Sequence, residues 1–246
     1  MPIELTTSAC CLPKLTRGEL FKAAHEAGYR WVELFTGNAS KYDPAGEPAD
    51  AFSAHGVGVS ALHLPGDLAK AKQAVDLAAK LGVPQAIAHG AGAPAEAGRW
   101  LAPTVAYAKA CGVEVVVTNH KGQSIESPED VAAVLKACGP DAPQVLLEAG
   151  HYWAAGLDAS EALKRFRDRV RLVHVKDLDA HGRSVPYGTG AAPLDAFIQD
   201  LAASGYQGRL CVELEMRELH TAEIVKHLSD ARFVVAAGLG VAMAGR

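Results

Sequence analysis

The sequence predicts a (β/α)8 barrel, a TIM barrel built as one domain over residues 1–246, and three observations carry the prediction. Short β-branched or apolar runs alternate with Ala-rich helical stretches along the whole chain. Eight such runs fall within 246 residues, the length at which eight βα units close on themselves. No Gly-rich phosphate fingerprint follows the first run, as a doubly wound sheet for a dinucleotide would require.

In chain order the expected strands are residues 3–6, 31–35, 59–62, 86–89, 114–118, 145–148, 172–176 and 210–215. Their composition suits a pleated, buried surface. Helical patterns occupy 17–27, 68–81 and 128–137, and the pattern returns after Ala159 and Pro193. Ser127 stands where an N-cap is expected, with Pro128 at the first helical position. Gly28, Gly56, Gly82, Gly112 and Gly205 fall where a left-handed helix C-cap is expected before a strand. No Pro/Ser-rich linker divides the chain.

Composition narrows the function. Of the residues, 49% are hydrophobic, enough for a large core, and the formal net charge is -4. That charge, without a long basic run, argues against a nucleic-acid partner. The five cysteines, an odd count with Cys10 and Cys11 adjacent, read as free thiols of a cytoplasmic protein rather than a disulfide framework. The opening MPIELTTSACC carries no signal-peptide pattern. The apolar tail 233–245 is too short and Gly-rich to span a membrane, and is expected to pack on the body of the protein or on a second subunit of a homo-oligomer.

In a barrel, side chains alternate between lumen and helix layer, and chemistry collects at the carboxyl ends of the strands. Of the 10 histidines, His63, His89, His120, His151 and His174 lie at or just past a strand end. Glu33, Glu148, Glu213 and Glu215 end strands two, six and eight. In "LVHVKD" the inward parity falls on His174 and Lys176, in "LLEAGH" on Leu146 and Glu148, and in "CVELE" on Cys211, Glu213 and Glu215. Burying such groups without partners is costly, so a shared divalent metal and a polar substrate are expected at the mouth. Imidazole and carboxylate donors suit Mn²⁺, Co²⁺, Mg²⁺ or Zn²⁺. A salt bridge from Lys176 to Glu213 or Glu215 is the structural alternative to a substrate contact.

These segments resemble the xylose isomerase-like barrels, the sugar (phosphate) isomerases and epimerases related to AP endonuclease family 2. The likeness runs through "AAHEAGYRWVEL", "SALHLPG", "AHGAG", "TNHKG", "LEAGHYWAAGLD", "VHVKD" and "YGTGAAPLDAFIQDLAASGYQGRLCVELE". It implies that Glu148, His174 and Glu213 ligate the metal and that Glu213 and Glu148 move protons. His63, His89, His120, His151 and Lys176 are then substrate-pocket residues. Strand five departs from the family: Thr118 stands where a metal-ligating glutamate is usual, before Asn119 and His120. The ion is therefore expected to be weakly held.

The expected activity is isomerisation or epimerisation of a small carbohydrate by metal-assisted proton transfer next to a carbonyl. Three alternatives stay open. A degenerate barrel would bind a sugar or sugar acid, a lyase or dehydratase would use the same fold, and an AP endonuclease-like hydrolase would draw ligands from His63, His89 and the Asp177, Asp179 and His181 cluster. "YGTG" at 187–190 is expected to close over the mouth, its glycines admitting backbone close to substrate.

Overall fold

The computed structural model describes residues 3–36, 41–45 and 48–240. Eight parallel strands close in sequence order into a barrel: β1 (Glu4–Ser8), β2 (Trp31–Leu34), β3 (Gly58–His63), β4 (Gln85–Ala88), β5 (Glu114–Thr118), β6 (Gln144–Glu148), β7 (Val170–Val175) and β8 (Arg209–Val212). Around them run α1 (Arg17–Glu26), α2 (Leu68–Leu81), α3 (Pro94–Ala110), α4 (Pro128–Cys138), α5 (Ala149–Ala154), α6 (Ala159–Phe166), α7 (Leu194–Ala203) and α8 (Thr221–Gly238). The alternation is uneven. Among the described residues only a 3-10 turn, Ala49–Phe52, joins β2 to β3, whereas α5 and α6 both lie between β6 and β7.

Local signals set the helix starts. Thr16 and Glu19 form a capping box on α1, Asp67 accepts from Lys70 N on α2, and Ser127 accepts from Asp130 N ahead of Pro128 on α4. The five glycines named above all have positive φ, but Gly56 closes no helix: with His55 it forms the turn between the bridged residues Ala54 and Val57. β8 ends three residues before the expected limit, at Val212, and Glu213 N still donates to Val175 O of β7 at 2.9 Å. Val235 and Ala236 of the apolar tail are buried, and its last stretch, 241–245, lies outside the described residues.

The core has two parts. The larger lies between barrel and helices, and a smaller cluster of Ala61, Ile87, Val116, Leu146 and Leu172 fills the lumen. Strand parity then dictates the layer above. Two residues beyond each of these plugs stand His63, His89, Thr118, Glu148 and His174, and Glu213 follows Cys211 in the same way. A dry floor thus carries a polar ceiling at the carboxyl end of the barrel.

Candidate active site

His174 is the hub of that ceiling. Its Nδ1 lies 3.0 Å from Glu148 Oε2 and 3.2 Å from Glu213 Oε1, while its Nε2 lies 3.0 Å from Glu33 Oε2. Lys176, two residues on, places Nζ 2.8 Å from Glu213 Oε2, 3.2 Å from Glu215 Oε2 and 3.8 Å from Glu148 Oε1. Glu33, Glu148, His174, Lys176 and Glu213 are all buried. Gly150 makes room for the aliphatic stem of Lys176, since a Cβ there would collide with Lys176 Cγ.

The charges hold one another. Burial works against charge on Glu213, yet Lys176 and His174 keep it well below the usual carboxylate range. Burial likewise opposes the charge on Glu148 and Glu33, and Lys176 and His174 respectively bring them down. Burial would lower His174, but Glu33 and Glu213 beside it raise it well above its ordinary value.

Asn119 aligns the end of β6. Its side chain donates to Glu148 O at 3.1 Å and accepts from Glu148 N at 2.9 Å, clamping β5 to the strand that carries the acid. Thr118 shares the inward parity of Val116, its Oγ1 donating to Asn119 O at 3.1 Å. His63 Nδ1 lies 2.8 Å from His89 Nε2, and Phe35 stacks on the His63 ring at 3.4 Å. Across the mouth the His120 and His151 rings meet at a tilt of 34° with centroids 3.6 Å apart. His120 Nδ1 donates to Lys121 O at 2.8 Å. Burial pushes His151 down to about 4, so it is neutral near pH 7. His151, Lys176, Ser184 and Glu215 share a cavity of about 520 Å³ with the exposed Arg217.

Every histidine and acid singled out from sequence at the strand ends therefore lies in this one region. Both salt bridges considered for Lys176 form. Glu33 is the residue whose importance the sequence understated: it ends β2 visibly, but its partners come from β3 and β7. The YGTG loop serves a different purpose from the one expected. Asp177 Oδ2 accepts from Gly188 N and Gly190 N at 2.9 and 3.0 Å, and a Cβ on Gly190 would stand 2.0 Å from Asp177 Oδ1. The glycines admit backbone to Asp177, and Tyr187 ties the same loop to Val175 O and Glu213 O.

The donor set fits a divalent ion. Ligand atoms of Glu148, His174 and Glu213 lie within 4.8 Å of one another. The 3.0 and 3.2 Å separations match polyhedron edges of roughly 3.0–3.4 Å for bonds near 2.1 Å. Glu148 Oε1 is buried without a hydrogen-bond partner, and the buried Glu148 and Glu213 share one ammonium with the partly exposed Glu215, so a further positive charge is welcome.

The chain belongs to the xylose isomerase-like TIM barrel family, whose model matches residues 21–231. Among curated relatives it is similar to inosose dehydratase of Mesomycoplasma hyopneumoniae strain 7448, 31% identical over 145 residues, 50% of this chain and 48% of that protein. Inosose dehydratase of Clostridium perfringens strain ATCC 13124 is 26% identical over 128 residues, 45% of this chain and 43% of that protein. The chain thus spans about half the length of the curated relatives it matches. Among solved structures it superposes on an IolI protein with a bound zinc atom at TM-score 0.77, 18% identity, covering 96% of this chain and 98% of that one. L-ribulose 3-epimerase gives 0.75 at 20% identity, covering 97% and 95%. Identities this low speak for the fold alone.

Proposed function

We propose that the protein is a metal-dependent dehydratase, a carbon–oxygen lyase acting on a small keto-polyol of the inosose kind. The observation that carries this reading is Thr118, inward on β5 with its hydroxyl spent on Asn119 O. A two-carboxylate epimerisation of the sort the family resemblance implies lacks its strand-five base here. Dehydration needs one base at the carbon beside the carbonyl and stabilisation of the departing oxygen. The half-length likeness to inosose dehydratases supports the dehydratase reading over the isomerase or epimerase reading that the sequence favours first.

Glu148, His174 and Glu213 would hold the ion, and when bound it would polarise the substrate carbonyl and acidify the neighbouring C–H. The C–H pair moves into the new carbon–carbon double bond as a base takes the proton. The neighbouring C–O bond then breaks, and the hydroxide leaves with a proton as water. Lys176, facing Glu213 and Glu215, is positioned to bind substrate oxygen and stabilise negative charge as it develops. His151, neutral near pH 7, lines the same opening beside His120 and can partner hydroxyl groups. The five free cysteines support placing this chemistry in the cytoplasm, and no helix among the described residues is long and apolar enough to cross a membrane.

The test is a panel of inososes and ketohexoses incubated with the protein and Mn²⁺, Co²⁺ or Zn²⁺, read by mass spectrometry and chiral chromatography. A product lighter by one water supports the dehydratase. A stereoisomer of unchanged mass restores the epimerase, and no conversion with any ion leaves a carbohydrate-binding barrel.

A further inference from the structure

Glu33 is wholly buried, and one of its oxygens faces two imidazoles at once. Oε2 lies 3.0 Å from His174 Nε2 and 3.5 Å from His63 Nε2, and neither carboxylate oxygen has a completed hydrogen bond. A ring nitrogen facing a carboxylate at these distances carries its proton, because a lone pair aimed at an anion is repelled. His63 therefore has Nε2–H toward Glu33 and a bare Nδ1 on its other side. That bare Nδ1 lies 2.8 Å from His89 Nε2, so His89 must donate from Nε2. His89 Nδ1 is then the unprotonated atom. It has no partner among the described residues, and His89 is exposed at the end of β4.

The geometry points to His89 as the proton acceptor for substrate, with Glu33 and His63 as the positioning residues that keep its Nδ1 bare. This rests on the carbon-acid reading of the mouth and deepens it, for it supplies the base that Thr118 does not. β4 and β8 stand opposite each other in the ring of eight, so His89 faces the mouth from the side away from Glu213. Burial, reinforced by the neighbouring imidazoles, lowers His89 to about 3, so its ring is neutral near pH 7 and has a lone pair free to take a proton. In the reaction the C–H bond breaks, its electron pair enters the enediolate, and the proton goes to His89 Nδ1. The resulting imidazolium is stabilised through His63 by the Glu33 carboxylate, the arrangement by which a buried acid supports a histidine base.

The deciding experiment has two arms. In the first, protein carrying ¹⁵N-histidine is studied without metal near pH 7, with His89 assigned from the His89→Asn spectrum. His89 should show a protonated Nε2 and a bare Nδ1, and both Glu33→Gln and His63→Phe should convert it to a tautomer mixture. A protonated Nδ1 in the wild type, or a tautomer unmoved by either substitution, overturns the relay. In the second arm, Mn²⁺-loaded protein turns over inosose in D₂O. His89→Asn should lose about 100-fold or more in turnover and in deuterium exchange at the carbon next to the carbonyl, with Mn²⁺ uptake unchanged. Exchange within a few-fold of wild type overturns the base role. Wild-type inactivity toward inosose would overturn the dehydratase reading alone, because the ring spectra decide the relay without turnover.

Discussion

Lys176 Nζ lies 2.8 Å from Glu213 Oε2, so a resident ammonium holds a carboxylate that a divalent ion would also use. Removing it acts in opposite directions on the two states. Lys176→Met leaves the buried Glu148 and Glu213 with His174 as their one remaining cationic neighbour, and the metal-free protein should lose about 3–5 kcal/mol. The same vacancy should tighten divalent binding. Urea unfolding and Mn²⁺ calorimetry of wild type and variant check both signs, and saturation at 100 times the dissociation constant should return about 2.7 kcal/mol. A variant that is destabilised but binds Mn²⁺ more weakly would show that Lys176 positions the ligands rather than competing with the ion.

Thr118 shares the inward parity of Val116 on β5 and is buried beside the clamp between Asn119 and Glu148. Thr118→Glu should therefore add an acceptor to the cluster and tighten Mn²⁺, Co²⁺ or Zn²⁺ binding by about tenfold or more. Glu213→Ala, which removes a donor, should abolish uptake. Titration of both variants against wild type measures this, and identical isotherms for wild type and Thr118→Glu would remove β5 from the site.

What could be read from the sequence follows from strand parity. The alternation that fills the lumen with Ala61, Ile87, Val116, Leu146 and Leu172 is local, so the inward direction of Glu148, His174, Lys176 and Glu213 is visible in short segments. Glu33 is visible as a strand-end acid, but its partners His63 and His174 are 30 and more residues away, and only barrel closure brings them together. Between β2 and β3 the described residues hold only the short turn Ala49–Phe52, which leaves no helical periodicity to detect. The YGTG loop shows why glycine alone is ambiguous: it reports a close approach but not the partner, which here is the buried Asp177.

That partnership is itself testable. Gly190 N donates to Asp177 Oδ2, and a methyl group at Gly190 would collide with Asp177 Oδ1. Gly190→Ala should cost about 1–3 kcal/mol through displacement of the loop. Asp177→Ala should cost a similar amount by stripping Leu178 N, Gly188 N and Gly190 N of their acceptor. Because both changes break one contact, the double variant should fall well short of the sum. Thermal or urea unfolding supplies the numbers, and strict additivity would mean the two residues stabilise the loop independently.

The stability of the metal-free protein should peak near pH 6.5, the ordinary histidine value, because two kinds of histidine pull in opposite directions. Burial lowers His151 to about 4 and lowers His63 as well, so both are neutral in the fold. Between about pH 6.5 and 4 the unfolded chain binds protons there that the folded protein does not, and stability falls as pH falls. For His174 burial is outweighed by Glu33 and Glu213, and its folded value is raised. Its contribution is complete below pH 6.5 and is lost as pH rises toward the folded value, because the unfolded chain gives up the proton first. Each group can contribute a slope of up to about 1.4 kcal/mol per pH unit. Urea midpoints measured with chelator from about pH 4 to 9 should trace this maximum. His174→Gln should flatten the alkaline limb and leave the limb between about pH 6.5 and 4 in place. An alkaline limb unchanged by His174→Gln would show that His174 carries no extra proton in the fold.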